Sequence, residues 1–171
     1  MQQITTTNYK KIFDYYIMTK TRGSRRIGKT RRSSHRINSV NNRVSQYSQP
    51  SIVKMFLQML NTVKLYHWKT ISFAQHKATD ELYSNLNSTI DTFVEIMLGK
   101  TGGRVNLMGT KSIPLHDFSD VSGFKREVEM YKDFLIGLSI ADSNKRDTDL
   151  LNVRDEILGH LNQFTYLLTF K

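Results

Sequence analysis

Four stretches of the chain repeat apolar residues at three- and four-residue steps, the spacing of amphipathic helices, and strand-like alternation is absent throughout. Pro50 suits a first helical turn, and Val53, Phe56, Leu60, Val63 and His67 then mark one face of a helix predicted to end near Trp68. A short connection, Lys69 to Ser72, leads to a second helix predicted over about Phe73 to Leu98, with Gly99, Gly102 and Gly103 as its stop. Residues 100–119 make a link too long for a tight turn between antiparallel neighbours. Asp120 is placed to cap a third helix carrying Phe124, Val128, Tyr131, Leu135 and Leu138. A polar break at 142–146 precedes a fourth helix from about Asp147, with Leu150, Ile157, Leu161, Phe164 and Leu168 on one face. The expectation is an all-α fold, a four-helix bundle of the ferritin-like kind with a long crossover between helices 2 and 3.

The second helix carries the chemistry. His76 and Asp80 are four residues apart, Asp80 and Asp91 eleven, and Asp91 and Glu95 four. At about 100° per residue these four side chains share an arc of roughly 100°, beside the apolar stripe of Leu82, Leu86, Ile90, Phe93 and Met97. With His67 they are the five best candidate metal ligands. Mixed imidazole and carboxylate donors suit Fe(II), Mn(II) or Zn(II). The ordinary alternative is a solvated polar flank paired with neighbours such as Lys77, and for His67, on the apolar side of its helix, a buried histidine bonded to a carbonyl or carboxylate. Trp68 reads as packing, and Met55, Met59, Met97 and Met130 as core or interface filler. His35 and His116 sit in segments expected to be flexible, without visible partners. Glu156 and His160 are four apart rather than three, and helix 3 offers only Glu127 and Glu129, so a di-iron site inside one bundle is not expected.

Charge divides the chain into two parts. The formal net charge is +10. Residues 1–49 hold eleven Lys and Arg against one acid, Asp14, while residues 50–171 hold fourteen basic and fourteen acidic side chains. The expected organisation is a basic, extended N-terminal arm, 1–49, followed by a neutral helical domain, 50–171. Within the arm Lys20, Arg22, Arg25, Arg26, Lys29, Arg31, Arg32, Arg36 and Arg43 are the candidate nucleic-acid contacts, because such a tail neutralises phosphates and releases counterions. The same run fits a nuclear-import signal or a tether between neighbouring proteins. Residues 19–49 contain no acid and little apolar surface, so disorder is the default without a partner. Tyr9, Ile12, Phe13, Tyr16 and Ile17 leave two readings open for 1–18: a docking helix, or a dispensable lead with initiation at Met18.

The segment Gly23-Ser-Arg-Arg-Ile-Gly28-Lys29-Thr30 matches the phosphate-loop pattern letter for letter. That chemistry needs a hydrophobic strand before the loop and a helix after it, whereas the flanks here are polar and charged, so no nucleotide cofactor is expected. The absence of cysteine excludes disulfides and thiolate metal sites. No run of 18 apolar residues and no signal peptide is seen, so the chain is expected to lack a membrane span and to be intracellular, in cytoplasm or nucleus, or in a virion.

From Pro50 onward the residues resemble the Dps family, the ferritin-like mini-ferritins that bind DNA and oxidise iron. The resemblance rests on Tyr66-His67-Trp68, His76-x-x-x-Asp80, Asp91-x-x-x-Glu95, the Gly-Gly pair, Pro114-Leu115 and the closing Phe164-Thr-Tyr-Leu-Leu. There is also a general likeness to a ferritin-like family of large DNA viruses. The Dps resemblance implies an oligomer, with iron held at a two-fold interface by His67, His76 and Asp80 of one subunit and Asp91 and Glu95 of its neighbour. The family usually separates its two histidines by eleven residues, and here eight intervene. The three missing residues fall in the interhelix connection, which keeps the register from His76 onward and leaves the placement of His67 for the structure to decide. Two functions follow as expectations. One is a Dps-like oligomer that binds nucleic acid through its arm and binds or oxidises iron. The other is a virion structural or minor capsid protein that uses the bundle as scaffold and the arm as tether.

Overall fold

The computed structural model describes residues 47–138 and 147–170, and all of these that lie in regular structure are helical. The helices are α1 (Gln49–Lys69), α2 (Phe73–Thr101), α3 (Val121–Gly137) and α4 (Thr148–Leu167). The first three begin where local chemistry favours it. Pro50 sits in the first turn of α1, the Ser72 hydroxyl accepts from the Gln75 amide at 3.4 Å, and Asp120 accepts from the Gly123 amide at 2.7 Å. Both acceptors satisfy amides that have no partner inside their helix.

The contacts fix the direction of every neighbouring pair. On α1, Phe56, Thr62 and Tyr66 meet Phe134, Tyr131 and Phe124 of α3 in reverse order, so these helices are antiparallel. Phe56 meets Phe93, while Gln49 bonds Thr101 and Tyr66 bonds Gln75, making α1 antiparallel to α2. Lys100 reaches Asp147 and Asp149 where α4 begins, while Thr89 meets His160, so α2 and α4 are antiparallel as well. Phe124 packs on Phe164, and Arg154 donates to the Leu138 carbonyl, which opposes α3 and α4. It follows that α2 and α3 run in the same direction. The link 102–120 therefore has to return along the bundle, and its nineteen residues, at up to about 3.3 Å each, are ample for a 17-residue helix of about 26 Å.

The core is the shared interior of these four helices. Met59, Val63, Leu86, Phe124, Tyr131, Leu135, Leu138, Ile157 and Leu161 have no measurable exposure. Phe56 stands at the junction of three helices, edge-on to Phe93 at 5.2 Å and to Phe134 at 6.1 Å. Such edge-to-face pairs add to what area burial alone supplies.

One boundary differs from the sequence expectation. Instead of stopping before Gly99, α2 continues to Thr101. Gly99 costs about 1 kcal/mol against alanine inside a helix, and the turn beyond it is held by Thr101, whose hydroxyl accepts from Gln49 at 2.8 Å. The stop is Gly102, at φ 67°, a left-handed conformation in which a Cβ would be strained. No described helix is long and apolar enough to cross a membrane.

Phe56→Ala removes the ring at the three-helix junction. We expect a loss of about 3–5 kcal/mol in unfolding free energy, read from urea denaturation followed by far-UV circular dichroism.

Candidate metal centre on the second helix

The connection between α1 and α2 is only Thr70-Ile71-Ser72, and a set of side-chain bonds closes it. Gln75 accepts at Oε1 from the Tyr66 hydroxyl at 2.7 Å and from the Thr70 hydroxyl at 3.0 Å. This tight turn settles where His67 goes. The rings of His67 and His76 stack 4.0 Å apart with 24° between their planes. His67 is buried, His76 and Asp80 are exposed, and His67 Nε2 lies 3.9 Å from Asp80 Oδ1. The shortened spacing thus leaves the two histidines adjacent.

Their hydrogen bonds define the ring chemistry. His67 Nδ1 donates to the His76 carbonyl at 3.1 Å, and His76 Nδ1 donates to the His67 carbonyl at 3.1 Å. A carbonyl can only accept, so each ring carries its proton on Nδ1 and, when neutral, keeps its lone pair on Nε2. The Thr79 hydroxyl supports the clasp from within. It donates to the carbonyls of Gln75 and His76 at 2.7 and 3.0 Å and lies 3.2 Å from His67 Nδ1. Histidines that ligate metals are commonly held by such a bond from the other ring nitrogen.

Asp91 and Glu95 lie farther along the same helix and are exposed. At 1.5 Å per residue they stand roughly 16–28 Å from Asp80 and His76, a separation no single helix can close. Among the described residues, no three His, Asp or Glu side chains come together to hold an ion within one chain. One chain therefore presents two separated half-sets on one face. The nine basic residues Lys20 to Arg43 proposed for nucleic-acid contact, like His35 and the 1–18 segment, lie outside the described residues.

Two other expectations change. Trp68 is 68% exposed rather than packed, with the Lys64 ammonium 5.8 Å from its ring centroid and 4.7 Å from that of Tyr83. Ile71 and Phe73, at the α1–α2 turn, are largely exposed as well. Met59 and Met97 are core, whereas Met55 and Met130 are half-buried.

His116 is the larger correction. It bonds the Glu127 carboxylate through Nδ1, and Gln58 Nε2 lies 3.2 and 3.4 Å from its two ring nitrogens. The hydrogen bond to Glu127 raises its pKa above 6.5, with burial acting in the opposite direction. Beside this pair, the Tyr131 hydroxyl donates to Thr62 at 2.9 Å, and burial pushes the phenol pKa up. Sequence spacing had no means of showing this cluster, because His116 approaches α3 only through the path of the crossover. Glu156 and His160 stand 3.9 Å apart at the edge of α4, and Thr89 is the neighbour across the helix pair.

Comparison with known proteins places the same region in context. The model of a family described as "Family of unknown function (DUF5856)" matches residues 67–168, which include all five candidate ligands. A protein of Enterobacteria phage T4, described as an uncharacterized 14.6 kDa protein in the mobD-ri intergenic region, is 30% identical over 131 residues. That alignment covers 74% of this chain and 95% of the phage protein. No solved structure matches the chain.

Tyr131→Phe deletes the buried hydroxyl while keeping the ring. We expect it to cost about 1 kcal/mol in stability, measured by urea unfolding against wild type.

Proposed function

We propose that this chain, which belongs to the DUF5856 family, is a Dps-like oligomeric protein that binds nucleic acid through its basic arm and binds or oxidises iron at subunit interfaces. The observation that carries this reading is a mirror pattern along α2. Measured from the bond between residues 85 and 86, His76 lies as far toward one end as Glu95 lies toward the other. Asp80 and Asp91 are related in the same way, as are Ser84 and Asn87, and Phe73 and Leu98. All but the half-buried Leu98 are exposed. Two copies of α2 packed antiparallel about a two-fold axis at that midpoint would bring each residue opposite its mirror position in the partner. His76 and Asp80 of one copy would then meet Glu95 and Asp91 of the other, twice.

Electrostatics give that contact a requirement. Asp80 would face Asp91 across the axis, and like charges directly opposed are destabilising. A bound cation would remove the repulsion, and Nε2 of the clasped histidines would supply borderline nitrogen donors beside the hard carboxylates. Fe(II) is the substrate this donor set suits, with the protein holding the ion and leaving positions open for an oxidant. The exposure of Trp68, Ile71 and Phe73, apolar residues at the α1–α2 turn, supports burial in an assembly. The order of helix directions, with its return link between α2 and α3, supports the ferritin-like reading of the bundle.

A second reading keeps the contact and drops the chemistry. In it the bundle is a scaffold of a virion structural or minor capsid protein and the arm is its tether. The phage origin of the T4 relative favours this setting.

Iron oxidation separates the two. Purified protein is expected to oxidise Fe(II) faster than buffer, and Asp91→Ala with Glu95→Ala is expected to abolish the gain. Equal rates for wild type and double variant would leave the scaffold reading. Sedimentation adds the assembly. Chelating divalent cations is expected to shift mass toward the 19.9 kDa monomer, and a chain that is monomeric with and without metal has no shared site.

The arm has its own test. Deleting residues 1–48 is expected to remove retardation of DNA at moderate salt. Unchanged retardation would assign the contact to the helical domain instead.

A further inference from the structure

The crossover is fastened to the bundle in three places, all toward its C-terminal end. Lys69 at the end of α1 holds Asp117 at 2.9 Å, and Phe118 packs against Phe124 and sits where a Cβ on Gly123 would stand, 2.9 Å away. Between the link and the α1–α3 seam lies His116, on Glu127 and beside Gln58. Of these fastenings only His116 changes charge near neutral pH. Its side chain is 27% exposed and that of Glu127 11%, so the pair is shielded from the solvent screening that makes surface ion pairs weak.

We propose that His116 and Glu127 form a proton-operated latch: with His116 protonated the crossover is clamped to the α1–α3 seam, and loss of that proton loosens residues 113–119 from it. The groups facing His116 make this a one-charge device. From α1 come Gln58 and, deeper, Thr62, both neutral. From α3 come Glu127 and Tyr131, whose phenol stays protonated because burial raises its pKa. From the link itself Asp117 is neutralised by Lys69. Glu127 is thus the charged group that senses the imidazolium. Gln58 serves the neutral state, since its amide can donate to the ring lone pair that deprotonation uncovers.

The direction follows from the raised pKa of His116. A group whose pKa is higher folded than unfolded contributes its full stabilisation below the unfolded value, and that contribution is lost as pH rises through the folded value. The latch is therefore fully closed below about 6.5 and opens as the pH rises through the raised value of His116. The differential is about tenfold in the clamped population for each unit of displacement above 6.5. Opening would bare the polar seam of Gln58, Thr62, Glu127 and Tyr131, which the crossover otherwise covers.

The test uses the full chain and two readouts between pH 5.5 and 8.5. Nuclear magnetic resonance titration of the His116 ring is expected to give a midpoint above 6.5, falling to or below 6.5 in Glu127→Gln. Heteronuclear NOE values of the backbone amides of residues 113 and 115–119, taken relative to the core amides of α2, are expected to drop across that midpoint in wild type. They are expected to stay level in both Glu127→Gln and His116→Gln. Lys69→Gln should lower these values evenly at every pH while keeping the step. A His116 midpoint that Glu127→Gln does not lower overturns the latch. So do level NOE values along the link in wild type, or a step that vanishes in Lys69→Gln. Should Glu127→Gln not fold, the His116→Gln comparison decides alone, since a step that survives there is not the work of His116.

Discussion

A three-residue turn joins helices of 21 and 29 residues, and the bonds across that turn are what the candidate site depends on. His67 and His76 each donate a ring proton to the other's backbone carbonyl. The clasp sets the pitch of α1 against α2, fixes both tautomers, and points both remaining lone pairs away from the protein's own carbonyls. Thr79 and Gln75 make it stiff by occupying the neighbouring carbonyls and hydroxyls. Lengthening the turn by a few residues would free the histidines from each other. The short spacing is therefore better understood as the condition for the clasp than as a deletion that the site has to tolerate.

The stripe on α2 was legible from the sequence because helical periodicity is a property of the chain alone. His76, Asp80, Asp91 and Glu95 needed only their numbers to be assigned to one face. Asp120 as a cap and the core positions of the four helices were legible for the same reason. Contacts that depend on the path of an irregular segment were not. His116 looked unpartnered because nothing in residues 102–120 states how the link lies on the seam, and its partner Glu127 was weighed only as a ligand for a di-iron site. Trp68 misled in the opposite way. A tryptophan at the end of an amphipathic helix suggests burial, yet α1 ends its packing at Tyr66 and His67, and the next position turns outward.

Charge within the domain is neutral in total and uneven in place. α2 and α4, which are neighbours, carry seven acids and three bases between them, while α1 carries three lysines and no acid. The acidic pair of helices is poorly suited to phosphate, so the proposed nucleic-acid contact would fall to the arm or to the α1 side. The same acidity shapes self-association. A surface with Asp80, Asp91 and Glu95 along one stripe repels its own copy at short range, so that an α2–α2 contact is favourable only with a neutralising partner.

That constraint ties assembly to chemistry in a way a fully apolar interface would not. A hydrophobic α2 stripe would associate irrespective of metal, and metal binding would then be an addition to a preformed dimer. In the proposed contact with mirrored carboxylates, ion and interface would be linked, and by mutual linkage whatever tightened one would tighten the other to the same degree. The half-sets on one chain do not come together to hold an ion, and the proposed two-fold contact would complete both at once, because each residue of the pattern has its counterpart at the mirror position. Sites at the two ends of the stripe would then fill cooperatively, since the first ion pays most of the repulsion that opposes the contact and the second finds the helices already together.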